Sequence, residues 1–516
     1  MYPLFQEFRN YAREFPMIPL KKEYMADFET PISIFNNIVR EKNVFLLESV
    51  EGGEKWARYS FIGKNPFLIA TIFDNTLTLK GMIEQTIETI TPLHELENIL
   101  QQFKCPIIED MPPFTGGAVG YFAYDTVRYF ERIQAKEGIH RTPDACFLFC
   151  DEIIVYDHRK QKIIVVANVR VNPKMTSEEL RQLYVDAGKR IDQLYEQLLS
   201  AEPAARHIHQ TRTVTDDRRT AMPFADRVTS DTTEAEYYSI VERAKEYIRA
   251  GDIFQVVLSQ KWAIDTPASP FEVYRILRTS NPSPYMYYLD IEGIQAVGTS
   301  PELLVRVTDR CVETRPIAGT RPRGATNQED KDNEVSLLAD AKECAEHVML
   351  VDLGRNDIGH VAEFGTVKVS QFMEIERYSH VMHIVSHVCG ELRQGATPFA
   401  ALKSCFPAGT VSGAPKVRAM EIIAELEKQN RGLYAGTIGY LSFSGNFDSC
   451  ITIRTIIFEQ GKAYLQAGAG IVYDSNPQAE YQETINKAKA LMTAIEQAEQ
   501  IFHIKGEDND VDSISE

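Results

Sequence analysis

The chain has 516 residues, 44% of them hydrophobic and 25% charged, an ordinary globular balance with ample length for a large core. Its net charge of −18 repels nucleic acid and anionic lipid, and no apolar run approaches the length of a membrane span. A site for a small anion must therefore draw positive charge locally, from Arg, Lys, helix N-termini or a metal.

The opening stretch MYPLFQEFRNYAREF carries early charges and lacks the apolar segment of a secretory leader. Eight cysteines, none in a CxxC pair, read as reduced thiols of a cytoplasmic protein. Residues 44–47 and 153–156 read as strands, as does the β-branched run 163–171. Residues 177–200 show helical spacing at Leu180, Leu183, Ala187, Ile191 and Leu194. The period is then lost over 201–231, a polar, Pro-containing stretch expected to be a linker. Thr233 with Glu236 forms a capping-box pattern for a helix whose apolar stripe is Tyr237, Val241, Ala244 and Ile248, with Gly251 at its end. A last helix starts with Pro477 in its first turn and runs to about Phe502. The predicted organisation is an N-terminal region 1–200, the linker 201–231, a C-terminal domain 232–504 and a disordered acidic tail 505–516.

Four groups of residues could carry chemistry. Glu343, Glu346 and His347 share a face of a predicted helix, either as ligands for a hard cation or as a solvated acidic surface around Lys342. Glu480, Glu483 and Lys487 share a face of the last helix, just after the glycine-rich stretch 466–472, where backbone N–H groups can approach an anion. A salt-bridged surface reads equally well there. The stretch FPAGTVSGAPK (406–416) lacks the spacing of a nucleotide-binding phosphate loop, which leaves an anion-lining loop or a plain turn. His380, His383 and His387 fall on one stripe if 377–388 is helical, the arrangement of zinc ligands. Neither an HExxH pattern nor a Cys partner accompanies them, so one catalytic His among structural ones is favoured over zinc. No nucleophile signature is present.

Taken together, TSPE (299–302), PIAGTRPRG (316–324), KECAEHVMLVDLGRNDIG (342–359), RYSHVMH (377–383), FPAGTVSGAPKVRAME (406–421), YAGTIGY (434–440), ITIRT (451–455) and QAGAGIVYDSNPQAEYQET (466–484) resemble the chorismate-utilising enzymes over nearly all of 250–490. The resemblance implies an α/β (α+β) fold: a large central β-sandwich with helices packed outside and an intertwined N-terminal regulatory region. It implies Mg²⁺ on Glu346 and Glu483, with Glu343 and Glu480 as flanking carboxylates. Glu302 matches the general acid and His383 a histidine beside the ring. Gly319, Thr320, Tyr434, Arg454, Gly468, Ala469, Gly470 and Lys487 match positions that bind chorismate. The general acid must stay protonated near neutrality, so Glu302 is expected to have a raised pKa.

Two positions choose within the family. Gln255 stands where the water-adding isochorismate enzymes carry a Lys base, and a neutral amide cannot deprotonate water. Ala318 stands where the aminodeoxychorismate-forming branch of folate synthesis usually carries Lys. Both match the anthranilate-forming branch, a lyase chemistry: chorismate is aminated at C2, loses its C4 hydroxyl and expels pyruvate. No amidotransferase signature is present, so ammonia is expected from a separate glutamine amidotransferase subunit in a heterodimer or heterotetramer. LLES (46–49) and NPSPYM (281–286) resemble the L-tryptophan inhibitor site, through Ser49, Pro284, Tyr285 and Met286. The plain alternative for LLES is a buried strand and turn. A non-catalytic tryptophan-sensing protein on this scaffold would show lesions among the metal carboxylates or at Arg454, and none is present.

Overall fold

The computed structural model describes residues 1–49, 58–133, 142–200, 222–378 and 381–503. Most of the expected linker, His380 and the acidic tail lie outside the described residues. The framework is two twelve-stranded sheets, and every pairing between their strands is antiparallel.

Alternating burial shows why two sheets stack. In the strand Val44–Glu48, Val44 and Leu46 pack toward helices on the outside, and Phe45 packs into the layer between the sheets. In Lys162–Arg170, Ile163, Val165 and Ala167 face the helices, and Ile164 and Val166 face the other sheet. Both faces are covered, so this strand reads as an unbroken β-branched run instead of an alternating one. The helices Ser177–Ser200, Pro270–Ser280 and Pro477–His503 cover one sheet. Pro92–Gln101, Pro398–Cys405 and part of Ala341–Gly359 cover the other. The expected sandwich with outer helices is therefore the observed fold.

Each sheet takes five strands from the N-terminal region and seven from the C-terminal one. In the first, Val44–Glu48 pairs with Tyr285–Ile291, and Met286 lies opposite Glu48. In the second, Gly117–Phe122 pairs with Thr437–Ser442. These seams make one continuous hydrogen-bonded framework out of segments far apart in sequence. The capping box at Thr233 forms as expected: its hydroxyl accepts from Glu236 N, and the Glu236 carboxylate accepts from Thr233 N at 2.8 Å.

Two expectations are corrected. The histidine stripe is not helical. Val381–Glu391 is a strand near one end of the second sheet, paired with Ile317–Pro322 and Lys368–Arg377. Histidines spaced by three and four mimic a helix face, but Met382 to Ser386 are buried on both faces and pair residue by residue with neighbouring strands, and that pairing decides. The end of the aperiodic 201–231 stretch is also structured. Val228–Ser230 forms an edge strand against Gln255–Asp265.

Candidate active site

The strand Gln255–Asp265 pairs along its length with Lys462–Ile471, so that Val257 faces Gly470 and Ser259 faces Gly468. Two helices attach to this ribbon through acidic residues. At its start the Gln255 side-chain amide donates to Glu346 Oε1 at 3.1 Å, which fastens the Ala341–Gly359 helix there. Asp340 caps that helix by accepting from the backbone N–H of Lys342 and Glu343, and so sets the direction of the first turn. On the facing strand the Gly468 carbonyl accepts from Lys487 Nζ at 2.9 Å, and Lys487 pairs with Glu483 at 2.7 Å. The Pro477–His503 helix is thereby held to the same ribbon. A side chain at Gly470 would begin 2.6 Å from the Gln255 amide nitrogen.

The two acidic pairs both feel the charge of Lys342. Burial raises the Glu343 carboxyl above the usual range, and the Glu346 charge adds to it. Burial likewise raises Glu480, reinforced by Glu483. The Lys342 charge opposes both shifts, which puts it within reach of both helices. Among the described residues no three His, Cys, Asp or Glu side chains already converge as a ligand cluster. The acidic groups stand as two pairs whose surplus negative charge suits a hard divalent cation.

Glu302 follows the strand Ile294–Ser300 and is buried at 8% exposure. Its backbone carbonyl accepts from Ile451 N at 3.0 Å. Burial pushes its carboxyl up to about 8, against the pull of the Thr410 hydroxyl, Arg454 and Lys487. The raised value expected from sequence is therefore present, and its cause is desolvation. Arg454 adopts the left-handed conformation, φ 50°, unusual for a side-chain-bearing residue, and its carbonyl accepts from Thr299 N at 3.1 Å.

His383 is also buried. Its Nδ1 lies 2.9 Å from the Gly319 carbonyl and 3.1 Å from Thr320 Oγ1. A carbonyl only accepts, so the proton sits on Nδ1 and the Nε2 lone pair is left available. Burial, with Arg454 nearby, lowers the pKa of this ring and keeps it neutral. Gly319 has φ 68°, and an added Cβ there would stand 3.2 Å from the Glu343 carboxylate. Glycine is needed because the backbone passes between His383 and the acidic helix. Tyr434 approaches from another side: its hydroxyl is 2.8 Å from the position a Gly468 Cβ would take. Ala469 contributes only backbone, since its methyl packs on the opposite face with Tyr237, Val256 and Leu258.

The structure thus joins Glu302, Arg454 and Lys487 with His383, Gly319, Thr320 and Glu343 on one side and Gly468, Gly470 and Tyr434 on the other. His387 is separate: its Nε2 meets Glu313 Oε2 at 2.6 Å, a structural pairing away from His383. Sequence reasoning did not single out Thr410, although it lies within the 406–416 stretch left open between loop and turn. It also missed Glu427 and Arg431, whose i, i+4 spacing looks like any helix-surface pair.

A cavity of 820 Å³ opens at the seam where Val44–Glu48 meets Tyr285–Ile291. Ser49, Pro284, Tyr285 and Met286 all line it. Tyr285 donates its hydroxyl to Asp448 Oδ1 at 2.9 Å. The LLES glutamate, Glu48, is buried and accepts from Tyr274 Oη at 2.6 Å and Arg278 Nε at 3.0 Å, so it anchors the wall.

Residues 45–493 match the family model of chorismate binding enzymes. The chain belongs to that family. It is 51% identical to an anthranilate synthase component 1 from Acetivibrio thermocellus, over 97% of this chain and 99% of that one. It is 46% identical to the protein of the same name from Aquifex aeolicus, over 96% and 98%. Among solved structures it resembles anthranilate synthase component I from Streptococcus pneumoniae, with a TM-score of 0.71, 39% identity, and coverage of 86% and 95%. The menaquinone-specific isochorismate synthase from Escherichia coli, 19% identical with a TM-score of 0.68 over 95% and 98%, shares the fold of this chorismate binding enzyme. No helix among the described residues is long and apolar enough to cross a membrane.

Proposed function

We propose that this chorismate-converting enzyme is the large subunit of an anthranilate synthase, acting at the first committed step toward tryptophan. The observation that carries the reading is the pairing of two neutral groups of opposite use. Glu302 is a buried carboxyl that holds its proton to about pH 8, and His383 is a neutral imidazole with Nε2 free. Glu302 protonates the C4 hydroxyl as it leaves and ammonia bonds at C2. The ammonium formed at C2 gives one proton to solvent; His383 then accepts the C2 proton at Nε2 as the C3–O bond breaks, the departing enolpyruvate takes up a proton to become pyruvate, and the ring becomes aromatic. Arg454 and the Gly468 and Gly470 backbone hold carboxylates, for which a guanidinium fork and close-approaching N–H groups are suited.

The rivals within the family lack their groups here. The Gln255 amide is spent on Glu346 and has no basicity to activate water. Ala318 presents no amine to the ring. Glu346 and Glu483, with Glu343 and Glu480 behind them, would hold Mg²⁺. When bound, the ion supplies positive charge for the ring carboxylate in an otherwise acidic cleft. The name component 1 borne by the relatives fits a second subunit that releases ammonia from glutamine. The test is an assay of the isolated chain with chorismate and Mg²⁺. Anthranilate fluorescence is expected with ammonium salts and not with glutamine; a product that retains the enolpyruvyl group, read by mass, would sink the reading in favour of the folate branch.

The 820 Å³ cavity is our candidate site for L-tryptophan as feedback inhibitor. It is well placed to act on catalysis. Thr299, three residues before Glu302, lies opposite Met286, and its hydroxyl bonds Ser283 Oγ at 2.8 Å. A ligand that moves the 283–286 segment therefore pulls on the strand that leads to the acid. L-Tryptophan is expected to lower turnover and raise the melting temperature together. No change in either up to millimolar concentration would remove the assignment.

A further inference from the structure

Behind the substrate-facing ribbon lies a buried ion pair that the mechanism does not use. Arg431 Nε donates to Glu427 Oε2 at 2.9 Å, and one terminal nitrogen donates to Oε1 at 2.6 Å. Both side chains are almost wholly buried, at 1% and 5% exposure. A charge pair placed there is costly to desolvate and adds little net stability by itself. Its other bonds suggest why it is present. The guanidinium donates to the Val411 carbonyl at 2.6 Å and to the Val257 carbonyl at 2.7 Å. Glu427 Oε1 accepts from both N and Oγ of Ser259, at 2.9 and 2.8 Å.

Each tethered point adjoins a group that meets substrate in the proposed reaction. Val257 and Ser259 lie opposite Gly470 and Gly468. Val411 follows Thr410, whose hydroxyl stands beside Glu302. The guanidinium also lies 5.6 Å from the centre of the Tyr434 ring. We propose that Glu427 and Arg431 are positioning residues: a single buried fork that holds the glycine ribbon, the Thr410 turn and Tyr434 in register around the reacting ring. The planar guanidinium can do this because it directs several donors at fixed angles from one buried point, which a lysine ammonium cannot.

This inference rests on the proposed reaction, and the experiment separates the two. Removing one partner leaves an unpaired buried charge, so the main variant is E427M/R431M, which removes both charges at similar volume. It is compared with wild type in melting temperature, in kcat and KM with chorismate and ammonium, and in its pH–rate profile. A positioning role predicts a protein that still folds, with melting lowered by the Val411, Val257 and Ser259 groups left without these partners, kcat down about 100-fold, the cost of a misplacement of about 1 Å, and an alkaline limb displaced from that of wild type. A folded double variant with wild-type kcat and pH profile overturns the proposal. If that variant does not fold, Arg431→Lys decides. It keeps the charge balance but cannot reach all three partners, so kcat is expected to fall in a protein that still folds; unchanged kcat overturns the proposal. Wild-type protein that makes no anthranilate in the same assay overturns the reaction instead.

Discussion

Replacing Glu302 with Gln is expected to lower kcat by about 100- to 10,000-fold, the range contributed by a positioned general acid, with little loss of fold. Fold loss is small because the native carboxyl is neutral at pH 7, with a pKa near 8, and an amide of the same shape replaces it in the same desolvated place. The wild-type rate should fall as pH rises through about 8, where the acid loses its proton, and that limb should vanish from the residual activity of the variant. The sign of the stability effect follows from the same shift. The folded carboxyl holds its proton more tightly than the unfolded one. Its stabilising contribution is therefore complete only below the ordinary carboxyl value of 4.5, declines steadily as pH rises above it, and is fully lost once pH passes about 8. The variant should accordingly lose less stability than wild type as pH rises from 4.5 to about 8, and the two should run parallel above that. Steady-state anthranilate fluorescence and thermal melts across pH check both statements; wild-type turnover in the variant would remove Glu302 from the mechanism.

The second large effect is expected at the acidic pairs. Glu346→Gln or Glu483→Gln should reduce turnover by at least about 100-fold, beyond what loss of an outer partner of a metal ligand typically costs. In Glu346→Gln the amide oxygen can still accept from Gln255, so the attachment of the helix to the ribbon is retained and melting should change little. A readout independent of turnover is the rise in melting temperature on adding Mg²⁺. Wild-type protein is expected to show it and either variant to lose most of it. Full activity in Glu346→Gln, or an undiminished thermal response, would refute the metal role of these carboxylates.

Much of the site was legible in the sequence because local periodicity survives folding. Glu343 with Glu346 and Glu480 with Glu483 are each three apart on real helices, so each pair shares a face as expected. The glycines at 468 and 470 were readable as backbone-approach positions, and the structure shows what approaches: Tyr434 and Leu258 at one, Gln255 at the other. The histidine stripe was misread because a spacing of three and four residues is common to a helix face and to coincidence. The burial of Ser386 and Ile384 on one side of the strand is a property of neighbours absent from the local sequence.

The sequence by itself determined the period of each long element, the capping box at Thr233, the chemical inventory of the cleft and, through ordered motifs, the family. Those properties depend on residues a few positions apart, where backbone geometry alone sets which side chains meet. Only the tertiary structure decided which acidic pair attaches to which strand, that the Glu302 carboxyl is desolvated enough to stay protonated, and that Glu427 and Arg431 lie buried behind the ribbon instead of on a helix surface. Desolvation and burial are set by what packs against a group from distant parts of the chain, and here each sheet is assembled from both halves of it.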